Sequence, residues 1–209
     1  MDNFNTIKKN VQSELIEKKS KFIVNLFYVE SVKEAEEIIN KTKKKYFDAR
    51  HNCIAYRIME ENLVEKSSDD GEPSGTAGAP MLNILQKNNL VNVLVIVTRY
   101  FGGILLGTGG LVRAYSNSLL QAIEKSEKVE KSYGQELEVV LDYNEFENFK
   151  YYCKNNKLNI VETQYIENIV CKIEVDERIK SKLISDFETK NINLKNIKEL
   201  SKKYITKSI

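Results

Sequence analysis

The chain is poor in residues that interrupt regular structure: 209 positions hold nine glycines and two prolines. It has one histidine, His51, and three cysteines, Cys53, Cys153 and Cys171. A single imidazole excludes the multi-histidine centre of a dinuclear metallopeptidase. Widely spaced cysteines without a Cys-x-x-Cys pair exclude the common zinc frameworks and a disulfide scaffold, and predict reduced thiols in a cytoplasm. No metal and no cofactor is expected. A strong excess of charge is lacking too. Residues 1–130 carry 18 basic and 17 acidic side chains, and residues 131–209 carry 14 and 13. That balance excludes a generally basic coat for nucleic acid, and no DNA specificity is expected. Clusters such as Lys43-Lys44-Lys45 read as solvated faces. The longest apolar run, 90–97, is broken by Asn92 and is too short to span a bilayer, so no membrane partner is expected. Nor does the start show a basic segment leading into an apolar one, so no secretory signal is expected.

What glycine and proline there are lie together. Eight of the nine glycines and both prolines, Pro73 and Pro80, fall between Gly71 and Gly110. Turn-making alone would scatter them. One region therefore needs backbone shapes or close approaches that side chains forbid.

Around that region the hydrophobic pattern predicts a hairpin, with Val11–Ile16 and Phe22–Val29 as its strands. A helix capped by Ser31 and Glu34 follows, then a strand over 50–59 with a short partner at 63–66. The loop 67–80 leads into a helix over 81–86, whose start lies as early as Gly75. A buried strand over 91–97 and a helix over 111–125 complete the first half. From about 131 the order reads strand, helix, strand, strand, helix, strand, the ferredoxin-like pattern. The expectation is an α+β chain of two domains, 1–130 and 131–209, joined near 127–134.

Gly107-Thr108-Gly109-Gly110 stands before the helix at Leu111, where free N–H groups suit an anion and Thr108 is a cap. Arg113 is read into the first turn, where its charge opposes the helix dipole and calls for an anion nearby. Lysine outnumbers arginine 27 to five, yet four arginines, Arg50, Arg57, Arg99 and Arg113, lie between 50 and 113. Such positions need a planar bidentate donor, and either a ligand phosphate or Asp69, Asp70 and Glu72 would satisfy it. His51 and Cys53 share one strand face with Asn52 between them, and a structural role outweighs a thiolate pair. The three acids match no cation loop, and Gly103–Thr108 lacks the lysine of a nucleotide-triphosphate loop.

Residues 68–78 (SDDGEPSGTAG), 98–103 (TRYFGG) and 106–115 (LGTGGLVRAY), with Ser20–Ile23 and His51-Asn52-Cys53, resemble the IMPACT family, including its bacterial YigZ-type members. The resemblance implies a first domain of the ribosomal-protein and elongation-factor type, and a ferredoxin-like second domain. It further implies a role around translation, with RNA or a ribosome-associated factor as partner. Eukaryotic members act through an added N-terminal domain, which is expected to be absent here. A proline dipeptidase label is discounted for want of metal ligands. Leu105 stands where the family usually has lysine, which implies weaker nucleic-acid binding. The binding cleft is expected to comprise Asp69, Asp70, Gly71, Glu72, Ser74, Gly75 and Thr76 with Arg99, Tyr100, Phe101, Gly102 and Gly103. Gly107, Thr108, Gly109, Gly110 and Arg113 complete it, and His51, Asn52 and Cys53 support it. In that cleft Arg99 and Arg113 meet phosphate while Tyr100 or Phe101 offers a stacking face. The alternative is a small-molecule phosphate or nucleotide binder, or an enzyme, using the same cleft.

Overall fold

A computed structural model describes residues 3–206. They divide into one unit over Phe4–Val129 and a second from Glu130 onward. In the first unit, β1 (Phe4–Ile7) lies beside residues 89–91: the Asn5 N–H donates to Asn89 O at 3.0 Å and the Val91 N–H to Asn5 O at 2.8 Å. β2 (Val11–Glu17) and β3 (Ser20–Tyr28) form the expected hairpin. α1 (Val32–Lys45) starts at Ser31, whose hydroxyl accepts the Glu34 N–H at 3.1 Å. The Glu34 carboxylate accepts from the N–H of Glu30 and not of Ser31, one residue outside the usual box. Then come β4 (His51–Met59), β5 (Leu63–Ser68), α2 (Gly78–Lys87), β6 (Val93–Tyr100) and α3 (Gly107–Lys125).

The sheet order is β2-β3-β6-β4-β5, antiparallel throughout. Central β6 is buried on both faces, which explains its unbroken aliphatic run. Val93, Val95 and Val97 pack into the core built with α2 and α3, and Leu94 and Ile96 into the core built with α1. Because the strands on either side of β6 come from distant parts of the sequence, the ends of β3, β4 and β6 lie together. Phe22 is opposite Arg99, and Arg99 opposite His51.

The second unit contains all but the first two residues of β7 (Lys128–Leu141), a short 3-10 turn (Tyr143–Glu145), α4 (Phe146–Asn155), β8 (Asn159–Tyr165), β9 (Ile169–Val175), α5 (Glu177–Glu188) and β10 (Asn196–Thr206). Its order β10-β7-β9-β8, all antiparallel, is the ferredoxin-like arrangement. β7 begins at Lys128, so the expected junction near 127–134 is sheet and not linker. Among the described residues no helix is long and apolar enough to cross a membrane.

Candidate functional site

The glycine-rich segments meet at one end of the first unit's sheet, around a cavity of ≈ 450 Å³. Arg50, His51, Glu72, Arg99 and Phe101 line it, with Leu105 to Thr108 and Leu111 from the start of α3. Glu72 is its anchor. The Glu72 side chain is only 3% exposed, and its Oε1 accepts from Arg99 Nη1 at 2.7 Å. The Tyr115 hydroxyl donates to the same oxygen at 2.8 Å. Arg99, 7% exposed, lies between the rings of Phe22 and Phe101, and its Nη2 donates to Ser20 Oγ at 3.4 Å. Its fork is thus committed within the protein. The expectation that Arg99 meets a ligand phosphate is corrected: the buried carboxylate supplied by the opposite loop already holds it.

The other two acids do different work. Asp69 accepts backbone N–H bonds from Gly75 at 2.8 Å, Ala77 at 2.9 Å and Gly78 at 2.8 Å, closing the loop onto the start of α2. Asp70 accepts from Lys43 Nζ and from the Asn52 N–H, both at 2.7 Å. Thr76 donates to the Pro73 carbonyl at 2.6 Å, while Ser74 and Gly71 stand on the exposed surface. His51 Nδ1 donates to the Asp70 carbonyl at 2.9 Å, and the Cys53 thiol lies 2.9 Å from the Asp69 carbonyl. Burial pushes that thiol up to about 12, so it stays protonated and unreactive at neutral pH. The side chain of Asn52, buried in β4, accepts from Thr98 Oγ1 at 2.7 Å.

Burial alone would raise the Asp69 carboxyl, but its three backbone N–H bonds outweigh that and hold it below the ordinary carboxylate value. A depressed native value stabilises the fold above the ordinary range near ~4, and the gain is lost as pH falls through the native value. Asp69→Ala is therefore expected to cost about 1–2 kcal/mol at pH 7. The deficit relative to the parent protein should shrink on acidification. Urea melts at pH 7 and pH 3 check both statements, and a constant deficit would contradict the second.

α3 begins at Gly107, four residues before the expected start, and Gly107 enters it with φ +70°, in the left-handed region that favours glycine. Its cap position is Leu106, which has no side-chain bond to offer, so Thr108 is not the cap. Gly109 and Gly110 fall in the first turn. Arg113 therefore sits in the second turn, exposed, with no hydrogen-bond or ion-pair partner among the described residues. The expected closeness of Arg113 to the loop acids is thereby corrected. The earlier helix start moved it off the positive end of the dipole and onto the open helix surface. Arg50 also lacks such a partner, whereas Arg57 is buried and its Nε donates to Glu65 at 2.6 Å. Arg50, which the expected cleft left out, lines the cavity because it directly precedes His51, the residue that pairs with Arg99.

Tyr100 ends β6 with its hydroxyl donating to Asp48 at 2.8 Å, and Phe101 is half exposed over Arg99. Gly102 passes directly under the β2–β3 turn, its N–H donating to Ser20 Oγ at 3.2 Å. Gly103 occupies the exposed turn beyond it. Leu105 is 84% exposed at the cavity mouth.

An α+β protein of two domains, with a glycine-lined cavity in the first and a ferredoxin-like second, is the class these features define. The Impact N-terminal domain family matches residues 18–123. Over 205 residues the chain is 38% identical to the IMPACT family member YvyE of Bacillus subtilis, covering 98% of this chain and 94% of that one. It is also 42% identical over 110 residues to the IMPACT family member YigZ of Escherichia coli, covering 52% and 54% of the two chains. A crystal structure of a hypothetical protein aligns over 93% of this chain and 97% of its own, with a TM-score of 0.61 and 29% identity. The chain belongs to the IMPACT family.

Proposed function

We propose that this chain is a non-enzymatic regulator acting around translation that binds RNA through its phosphates at the mouth of the first domain's cavity. The observation that carries the reading is a division among the arginines. Arg57 and Arg99 are buried and paired internally, while Arg50, at the cavity, and Arg113, on α3, have no ion-pair or hydrogen-bond partner. At the same cavity as Arg50 opens a helix N-terminus without a side-chain cap, whose first N–H groups and dipole favour an anion. The exposed turn of Lys18 and Lys19 adds charge beside Gly102. Phosphate satisfies all of these donors, and the role around translation rests on the family resemblance.

The test is filter binding of a single-stranded RNA at two salt concentrations. Affinity is expected to fall with salt, and Arg50→Ala and Arg113→Ala should each flatten the log–log slope by about 0.7. Both variants should keep their stability within about 0.5 kcal/mol, as exposed unpaired positions do. Affinity indifferent to salt, or no binding, would sink the proposal.

A further inference from the structure

Two acceptor atoms stand side by side on the cavity wall. Glu72 Oε1 is fully engaged by Arg99 and Tyr115, but Oε2 accepts no hydrogen bond from any described residue. Opposite it, at 4.0 Å, is His51 Nε2. The Asp70 carbonyl can only accept, so His51 Nδ1 carries the ring hydrogen that meets it, and in the neutral ring Nε2 is an acceptor. Both side chains line the cavity. Both acceptors open on the cavity, and no protein donor fills the space before them. The arrangement suits a ligand that brings two polar hydrogens on neighbouring atoms.

Charge selects among such ligands. An ammonium group would meet the Arg99 guanidinium, which already holds Glu72 at 2.7 Å, together with Arg50 and the positive end of α3. A neutral pair of hydroxyls attached to an anion meets no such repulsion. We propose that Glu72 Oε2 and His51 Nε2 accept the vicinal hydroxyls of a terminal ribose, so that the cavity seats one ribonucleotide. Its phosphate lies toward Arg50 and the N–H groups at Gly107 and Thr108. The cavity of ≈ 450 Å³ falls within the range that holds one small ligand, and Phe101, Leu105 and Leu111 give it apolar walls. This inference rests on the phosphate reading above and names the group that the same site recognises. The diol has two sources, the 3′ end of an RNA and a free nucleotide.

Anisotropy titrations of the full chain test it with three labelled oligonucleotides of equal length and charge. One is an RNA with a free 3′ diol, one the same RNA ending in a 3′-deoxynucleotide, and one the corresponding DNA. The free diol is expected to bind at least about tenfold more tightly than either of the others, the scale of one or two lost polar contacts, one of them to a charged acceptor. His51→Ala should remove most of that preference. Adenosine monophosphate as competitor separates the sources: displacement at concentrations near the RNA dissociation constant identifies a free nucleotide, and its failure identifies the chain end. Equal affinity for the diol and 3′-deoxy RNAs, with salt dependence retained, overturns the diol and leaves phosphate binding standing. No salt-dependent binding of any oligonucleotide, and no shift of the melting temperature by adenosine monophosphate, overturns both.

Discussion

Replacing Glu72 by alanine is expected to lower the unfolding free energy of the first domain by about 3–5 kcal/mol, the scale for removing one partner of a buried ion pair. The reason lies in what would remain. Arg99 is 7% exposed, and Nε already has no hydrogen-bond partner in the parent protein. Without Glu72 its charge keeps only the 3.4 Å bond to Ser20 and the ring faces of Phe22 and Phe101. Tyr115, fully buried, would lose the acceptor of its hydroxyl as well. Combining Glu72→Ala with Arg99→Met should recover more than half of the loss, because most of it comes from the orphaned cation and not from the absent bond. Urea melts of the single and double variants, followed by circular dichroism, measure this. A single-variant loss of about 1 kcal/mol or less would show that the pair is dispensable to the fold.

Gly102→Ala is expected to cost about 3 kcal/mol or more, at the upper end of overpacking effects. A Cβ at Gly102 would lie 2.0 Å from the Lys19 carbonyl carbon, 2.1 Å from its oxygen and 2.4 Å from the Ser20 nitrogen. These are backbone atoms of the turn joining β2 to β3, so no side-chain rotation relieves the clash. The turn must move, taking Ser20 away from both the Gly102 N–H and Arg99. Gly103→Ala is the control. It has φ +83° but open space around it, so the cost should be that of the left-handed backbone alone, about 1–2 kcal/mol. Similar losses for the two variants would mean that close approach is not what position 102 requires.

The sequence by itself determined the elements whose signals are local. The valine-, leucine- and isoleucine-rich run of β6 needs both faces covered wherever the strand is placed, and the alternation on either side of Lys18-Lys19 requires a hairpin. Ser31 followed by Glu34 marks a helix start through bonds that span three residues. The clustering of glycine also marked where the backbone has demands that side chains forbid, a close approach at Gly102 and a left-handed φ at Gly107. The start of α3 was not legible: Gly107 to Gly110 offer no apolar period, and the helix begins there because Leu111, Ala114 and Tyr115 are drawn into the core behind it. β7 likewise runs through a stretch that reads as a linker, because Gly134 fits beneath Ile205 and against the Val175 carbonyl, contacts made across the sheet.

The roles of the charged residues belonged wholly to the tertiary structure. Asp69, Asp70 and Glu72 are adjacent and chemically alike, yet one closes the turn before α2, one holds β4 and Lys43, and one is buried against Arg99. Arg50 and Arg99 are equally alike as letters. Burial separates them, and burial depends on the sheet order that sets β4 beside β6, with Arg99 paired opposite His51. Ion pairing falls off over a few ångströms, whereas Glu72 and Arg99, like Asp70 and Lys43, lie 27 positions apart in the chain, so only the folded chain brings these pairs together.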